Sequence, residues 1–229
     1  SAGAITVAPP VTNTGANAIN LTGVGVDLST TNSDVSSTSG TITVDANAGN
    51  FNMASGASIV TAGNVTVAAD TISLDTSGTP SLIQATGGAS EVKLAPDTGA
   101  TAINLGAGAT VAFALTDAEL NTIEAPIVRI GTAAGAPYGG ATAGALTVSG
   151  AFASDAAFAP TALELRTTST VTATAAAVDL SAGTTDLVVR AGNTVNIANA
   201  GHDLQTVAVT TGGAAAAVTL QEGATGMTI

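Results

Sequence analysis

The chain of 229 residues carries 16 acidic and 4 basic side chains, for a formal net charge of −12, and it contains no cysteine. Because it has no basic patch that could neutralise a run of phosphates, nucleic acid is not expected as a partner. Aromatic residues make up 2% of the chain, although 45% of it is hydrophobic. The core must therefore be narrow and aliphatic, as in a stack of small repeats.

Short apolar–polar–apolar triplets recur along the chain, as in Ile42-Thr43-Val44 and Val65-Thr66-Val67. Successive side chains of a strand point to opposite faces, so each triplet aims its outer residues at a core and its middle residue at water. Glycine, alanine, asparagine, aspartate and serine, several of them turn formers, fill the gaps between triplets. The triplets at Ile42 and Val65, and those at Phe51 and Ile72, lie roughly 20–23 residues apart. This spacing predicts an all-β, single-stranded parallel β-helix, or β-solenoid, with about three short strands in each coil.

The same pattern continues without a change of composition, so residues 1–229 are predicted to form one continuous domain. Lags of about 20 residues from Ile72 to Val92 and from Leu82 to Ile103 extend the repeat towards the middle of the chain. Divided into the chain, this lag predicts roughly ten or eleven coils and a rod about 50 Å long.

Two segments depart from the triplet pattern. Residues 29–39 are almost all Ser, Thr, Asn and Asp and are predicted to form a surface loop between coils, with a flexible linker as the alternative. Further along, Thr116 and Glu119 are spaced for a capping box over one helical turn. Leu120 and Ile123 would then face the core.

A Gly- and Ala-rich loop is predicted between Gly131 and Gly144, and it holds Pro137 and the only tyrosine, Tyr138. The chain stops inside a triplet at Ile229, and neither end shows a capping helix or a charged terminal repeat. Natural solenoids usually cover the strand edges of their end coils. We therefore expect either a piece of a longer rod or end-to-end pairing of copies.

Residues 115–131 read Leu-Thr-Asp-Ala-Glu-Leu-Asn-Thr-Ile-Glu-Ala-Pro-Ile-Val-Arg-Ile-Gly, and residues 144–152 read Gly-Ala-Leu-Thr-Val-Ser-Gly-Ala-Phe. These segments resemble the filamentous-haemagglutinin-like exoproteins of bacterial two-partner secretion. They are similar to a recurring family pattern of a Ser/Thr-Asx-Ala-Glu-Leu turn followed by two strands. Residues 187–209 resemble the family's units of two strands joined by Asn-Ala-Gly-Asn-Asp. The resemblance implies a right-handed β-helix in a secreted surface adhesin or its stalk.

Candidate catalytic groups are sparse in the sequence. His202, the single histidine, follows a turn-forming Asn-Ala-Gly and is predicted to be a solvated turn residue. The charged residues comprise three loose carboxylate pairs and four basic side chains: Asp70 with Asp75, Glu119 with Glu124, Asp179 with Asp186, and Lys93, Arg129, Arg166 and Arg190. A β-helical polysaccharide lyase or hydrolase needs clustered carboxylates and basic groups that bind uronate. The sequence therefore assigns no catalytic, cofactor-binding or metal-binding residue, and the chain is not expected to be an enzyme.

The sequence thus predicts a structural and interaction module of a secreted bacterial surface fibre or adhesin. A subunit that stacks end to end into filaments is the alternative, and a β-helical carbohydrate-active enzyme is the alternative of another class. The expected partners are further copies, flanking coils of a longer chain, or surface glycans and proteins. No run approaches the ~20 apolar residues of a membrane span, so membrane insertion is not expected. Calcium binding by turn aspartates and glycosylation at Asn20 or Asn64 stay open.

Overall fold

A computed structural model of the protein describes residues 3–106, 111–131, 143–154, 158–181, 185–213, 216–223 and 228–229. The predicted loop with Pro137 and Tyr138 and the methionine of the last triplet, Met227, lie outside the described residues.

The described chain consists of short strands and one helical turn. The first four coils contain β1 Ile5–Val7, β2 Val11–Asn13, β3 Ile19–Thr22, β4 Val26–Leu28, β5 Val35–Ser37, β6 Ile42–Asp45, β7 Asn50–Met53, β8 Ser58–Thr61, β9 Val65–Ala68, β10 Thr71–Leu74, β11 Leu82–Ala85 and β12 Glu91–Ala95. The middle contains β13 Ile103–Gly106, β14 Phe113–Thr116, α1 Asp117–Leu120, β15 Ile123–Glu124 and β16 Ile127–Gly131. The rest contains β17 Leu146–Val148, β18 Phe152–Ala153, β19 Ala162–Thr167, β20 Val171–Thr172, β21 Val178–Asp179, β22 Asp186–Ala191, β23 Val195–Ala198, β24 Thr206–Thr211 and β25 Val218–Gln221.

These strands form five sheets. Sheet A has the order β1-β4-β7-β10, sheet B β15-β11-β8-β5-β2, sheet C β24-β22-β19-β16-β12-β9-β6-β3, sheet D β14-β13-β17-β20-β23-β25 and sheet E β18-β21. Every strand pairing among the described residues is parallel. With one exception, in sheet D, neighbouring strands come from successive coils. The chain visits sheets A, B and C in turn in the first four coils, and sheets D and C, with sheet E between them in two coils, after the middle of the chain. The protein is a β-solenoid, and the predicted fold class is confirmed.

The predicted register holds in the first coils, where Ile42 pairs with Val65 and Phe51 pairs with Ile72. Two later lags are wrong. Val92 pairs with Val65, not Ile72, and Leu82 pairs with Ser58 in sheet B whereas Ile103 begins a strand of sheet D. The triplets in question lie on different faces of the solenoid, so their spacing does not measure a coil.

The number of coils is smaller than predicted. Sheet C receives one strand from each coil and has eight strands, which at ~4.8 Å per strand gives a length of about 35 Å rather than 50 Å. The middle coils are longer than 20–23 residues, since Val92 pairs with Val128 and Val128 pairs with Leu163. Extra segments in these coils account for the difference.

The core is a narrow aliphatic column, as the composition predicts. Inward positions of sheet C stack in register and are fully or almost fully buried: Ile42, Val65, Val92, Val128, Leu163, Leu187 and Val207. Three of the four phenylalanines, Phe51, Phe113 and Phe158, are completely buried. Each large side chain contributes about 1.5–3 kcal/mol by leaving water, so stability accumulates along the stack.

The polar segment 29–39 is not the loop that its composition predicts. It contains β5, and Val35 is completely buried between its neighbours in sheet B. Ser33 is also buried, and its hydroxyl donates a hydrogen bond to the carbonyl of Val7 at 2.5 Å. Inward serines are tolerated here because backbone carbonyls of the preceding coil accept their hydroxyl protons.

The helical turn α1 lies in the middle of the solenoid, where sheet A ends and sheet D begins. Sheet A ends at β10, and the neighbouring β14 belongs to sheet D. The predicted capping box is present, because Glu119 N–H donates to Thr116 Oγ1 at 3.2 Å and Thr116 N–H donates to Glu119 Oε2 at 2.9 Å. The other oxygen of Glu119 accepts the N–H of Leu74 in β10 at 3.1 Å. Leu120 and Ile123 are buried, as predicted.

Candidate functional site

All four basic side chains of the protein lie on the outer face of sheet C. Lys93, Arg129, Arg166 and Arg190 stand on four consecutive strands, β12, β16, β19 and β22. Each occupies an outward position beside buried residues of the same strand, so strand alternation directs it to the surface. We call these residues, with their partners Glu91 and Glu164, the ion-pair column.

Glu91 joins the first two coils of the column. One carboxylate oxygen, Oε1, forms an ion pair with Lys93 on the same strand. The other oxygen lies 2.7 Å from Nη1 of Arg129 on the next strand. The backbone N–H of Glu91 in turn donates to Oδ1 of Asn64 at 3.1 Å, which ties the column to the preceding coil. This amide oxygen belongs to one of the two candidate glycosylation sites; the other, Asn20, is exposed on the outer face of β3.

Glu164 is the centre of the column and is 6% exposed. Its Oε2 accepts a hydrogen bond from Nε of Arg129, and its Oε1 accepts one from Nε of Arg190 at 2.6 Å. Nε of Arg166 lies 3.3 Å from the same Oε1 but makes no hydrogen bond. Burial raises the pKa of Glu164, but the hydrogen bonds from Arg129 and Arg190 outweigh burial and hold it below the ordinary value. One carboxylate thus links three coils.

We expect Glu164→Gln to lower the free energy of unfolding at pH 7 by about 1–3 kcal/mol, because the amide leaves half-buried guanidinium groups without their counter-charge. A carboxylate with a lowered pKa stabilises the fold above its ordinary pKa of 4.5 and loses this effect as the pH falls through the folded-state pKa. The difference between variant and wild type should therefore stay constant at neutral pH and shrink at acidic pH in urea titrations.

The matched control is Glu124→Gln, which removes the same charge from sheet B, where the side chain of Glu124 bonds Gln84. A change below about 0.5 kcal/mol is expected for this surface position. Equal destabilisation by both variants, or a difference that does not depend on pH, would contradict the role assigned to Glu164.

A second charged cluster, the acidic cluster, lies beside the ends of β6, β9 and β12. Asp45 occupies the last outward position of β6, Asp70 lies between β9 and β10, and Asp97 follows β12. Burial, and then the negative charges of Asp45 and Asp70, raise the pKa of Asp97. Oδ1 of Asp70 accepts the backbone N–H of Thr98 at 2.6 Å. Among the described residues, no group of three His, Cys, Asp or Glu side chains is arranged to hold a metal ion.

The predicted carboxylate pairs do not come together as pairs but act separately on nearby groups. Asp70 accepts from Thr98, Asp75 from the N–H and hydroxyl of Ser77, Glu119 from Thr116 and Leu74, Glu124 from Gln84, and Asp179 from the N–H and hydroxyl of Ser181, while Asp186 is exposed at the start of β22. Hydrogen bonds from Ser77 to the carboxylate lower the pKa of Asp75. These bonds hold turns and join neighbouring coils.

The prediction that His202 is a solvated turn residue is wrong. The residue is 1% exposed. Its Nδ1 accepts the backbone N–H of Val178 at 2.9 Å, and its Nε2 lies 2.8 Å from the carbonyl of Ala173. The ring is therefore the tautomer with its proton on Nε2, and it bridges two segments of the preceding coil. Its role is structural, because both ring nitrogens are occupied by backbone groups.

The surface offers shallow grooves. One of about 570 Å³ runs along β10 beside β14 and α1, with Leu74, Ala114 and Glu119 in its lining. Another, of about 500 Å³, lies between Gln84 and Ala159. In the described part of the chain, no helix has the length and apolarity that a membrane crossing requires.

The fold and the site define a β-solenoid that carries its four basic side chains on the outer face of one sheet, where they form ion pairs with two glutamates. Scans of known protein families, of curated proteins and of solved structures each found no match to the chain.

Proposed function

We propose that the chain is a structural and interaction module of a secreted bacterial surface fibre or adhesin. The observation that carries this proposal is the uninterrupted eight-stranded sheet C, with one strand from every coil and a continuous aliphatic column behind it. Such a stack holds a fixed outer surface at a distance set by the number of coils, which suits a stalk or a spacer. The resemblance of residues 115–131 and 144–152 to haemagglutinin-like exoproteins supports the same class and an extracellular location.

The edges of the stack suit axial extension. Among the described residues, the terminal strand β3 of sheet C pairs with one strand, β6, and the other terminal strand, β24, pairs with β22 and forms a single parallel bridge to Thr228 beyond it. Because all strands run in the same direction, either edge can accept a further parallel strand. That strand would come from flanking coils of a longer chain or, in the alternative of a filament subunit, from another copy. Electron microscopy at increasing protein concentration separates the two, since only a self-stacking subunit forms filaments.

The adhesive role is tested with beads that display the folded protein. We expect these beads to bind bacterial or host cells, or each other, more than beads that carry an unfolded variant such as Val67→Asp. Failure of the folded protein to bind any of these surfaces would contradict the proposal. So would turnover of a pectin or other glycan that is lost on Asp70→Asn or Asp179→Asn, because it would indicate a carbohydrate-active enzyme.

A further inference from the structure

The single histidine of the chain occupies a position that is otherwise apolar. In sheet E, Phe152 pairs with Val178, and the next coil adds a parallel bridge between Asp179 and Asp203. His202 is therefore in register with Phe152 and Val178 at the inward position of this face, and it is 1% exposed. A charged imidazole would be costly there, because a buried charge needs a partner of opposite charge.

The two hydrogen bonds of the ring determine where it can carry a proton. Nδ1 accepts the N–H of Val178 at 2.9 Å, and Nε2 donates to the carbonyl of Ala173, which lies 2.8 Å away. A second proton would have to bind at Nδ1, where the new N–H would point at the N–H of Val178. Protonation of the ring and the hydrogen bond to Val178 therefore exclude each other.

The charged residues near the ring are acidic. The segments that bond His202 or contain it, residues 171–181, 195–206 and 216–223, carry three charged side chains: Asp179, Asp203 and Glu222. While the ring is buried, both of its nitrogens are taken up by backbone groups of the preceding coil. Once it leaves this position, the neighbouring carboxylates favour its charged form.

We propose that His202 is an acid-sensitive latch, whose protonation in mild acid favours release of residues 199–204 from the preceding coil. The proton comes from solvent and binds Nδ1 after the bond to Val178 has broken. Two further bonds of this turn are lost with it, from Asp203 N–H to the carbonyl of Val178 at 3.0 Å and from Leu180 N–H to the carbonyl of Asp203 at 2.7 Å. Release exposes the edge of β21, whereas the last coil stays paired through β22–β24 and β23–β25.

Hydrogen exchange measures this release directly. Histidine titrates between about pH 5 and 8, and a ring that takes up a proton only in the open state makes the opening constant depend on pH. From about pH 7.5 to about pH 5.5, we expect the protection factors of the Val178 and Leu180 amides to fall about tenfold. The amide of Ile42, which donates to Asn64 in the first half of the stack, should keep its protection factor. Unchanged protection at Val178 and Leu180 would overturn the proposal.

The matched variant is His202→Gln, whose side-chain amide does not titrate in this window. Whatever its stability, its protection factors at Val178 and Leu180 should change by less than about twofold between the two pH values. The control is Asp203→Asn, which removes a neighbouring carboxylate and should keep the pH dependence. A pH dependence that survives in His202→Gln, or is lost only in Asp203→Asn, would overturn the role of the imidazole.

Nuclear magnetic resonance of the ring keeps the test decisive if His202→Gln does not fold. Because the chain has one histidine, the nitrogen-15 signals of the imidazole belong to this residue. In the native state we expect a neutral ring with its proton on Nε2 at both ends of the pH window. A native ring that becomes charged while the Val178 amide stays protected would overturn the proposal. These measurements do not involve adhesion or filaments, so their outcome is independent of the proposed function.

Discussion

Replacing Val67 by aspartate is expected to unfold the coils around β9, with a loss of at least about 4 kcal/mol in the free energy of unfolding. Val67 is completely buried and pairs with Val44 on one side and Leu94 on the other. A carboxylate at this position would meet only apolar side chains, so its desolvation would not be offset. Urea denaturation followed by circular dichroism measures the loss.

The matched control is Val60→Asp, which makes the same substitution at an outward position. Val60 is half-buried in the middle of β8 and pairs with the neutral residues Ser36 and Gln84. A loss below about 1 kcal/mol is expected there. Comparable losses for Val67→Asp and Val60→Asp would mean that strand alternation does not separate the inner and outer faces of the solenoid.

Gly106→Ala is expected to destabilise the protein by about 3 kcal/mol or more, for two reasons that act together. Gly106 has a φ of +83°, which costs an alanine roughly 1–2 kcal/mol. A β-carbon at this position would also lie 1.9 Å from the carbonyl oxygen of Gly150 in the next coil. Because that oxygen belongs to the backbone, one coil must move away from the other, at a cost typical of overpacking.

A second glycine separates the two effects. Gly78 also has a positive φ, of +61°, but the nearest atom to its β-carbon would be the Ser55 hydroxyl oxygen at 3.5 Å. Gly78→Ala should therefore cost only the backbone strain. In thermal unfolding, we expect the melting temperature of Gly106→Ala to lie well below that of Gly78→Ala. Equal melting temperatures would show that close stacking of the coils is not the reason for glycine at position 106.

Local chemistry in the sequence was sufficient to predict the fold class and the helical turn. The triplets at Ile42 and Val65 lie in coils without insertions, so their spacing equals the length of a coil. The capping box at Thr116 and Glu119 depends only on two residues three apart in the chain, so it can be recognised without knowledge of any long-range contact. What the sequence did not indicate is that Glu119 also accepts a hydrogen bond from Leu74, because no spacing rule links positions so far apart.

The number of coils could not be predicted, because a strand in an inserted segment has the same triplet pattern as a strand that begins a new coil. Ile103-Asn104-Leu105 and Phe113-Ala114-Leu115 both look like strands of separate coils, but β13 and β14 lie side by side in sheet D. Both belong to one enlarged coil. Residues 29–39 show the opposite error, since a polar composition concealed a strand whose single large apolar side chain, Val35, is completely buried.

The ion-pair column could not be predicted from the sequence, because inserted segments make the spacing between its residues irregular. Arg129 and Glu164 are in register, but the long coil between them hides this relation from any regular spacing. The burial of His202 was missed because a turn-forming Asn-Ala-Gly precedes it. The turn is present, but the imidazole ring of His202 is buried and forms hydrogen bonds with the backbone of the preceding coil.

The central claim, that successive coils lie parallel and in register, can be tested by cross-linking, because the chain has no cysteine of its own. Asn20 and Thr43 are outward partners on adjacent strands of sheet C, and the strand spacing of ~4.8 Å lies within the Cα separation that a disulfide bridges. Mild oxidation should link Asn20→Cys with Thr43→Cys rapidly within one chain, whereas Asn20→Cys with Thr66→Cys, two strands apart, should stay reduced. Efficient cross-linking of the second pair, or none of the first, would contradict the parallel solenoid.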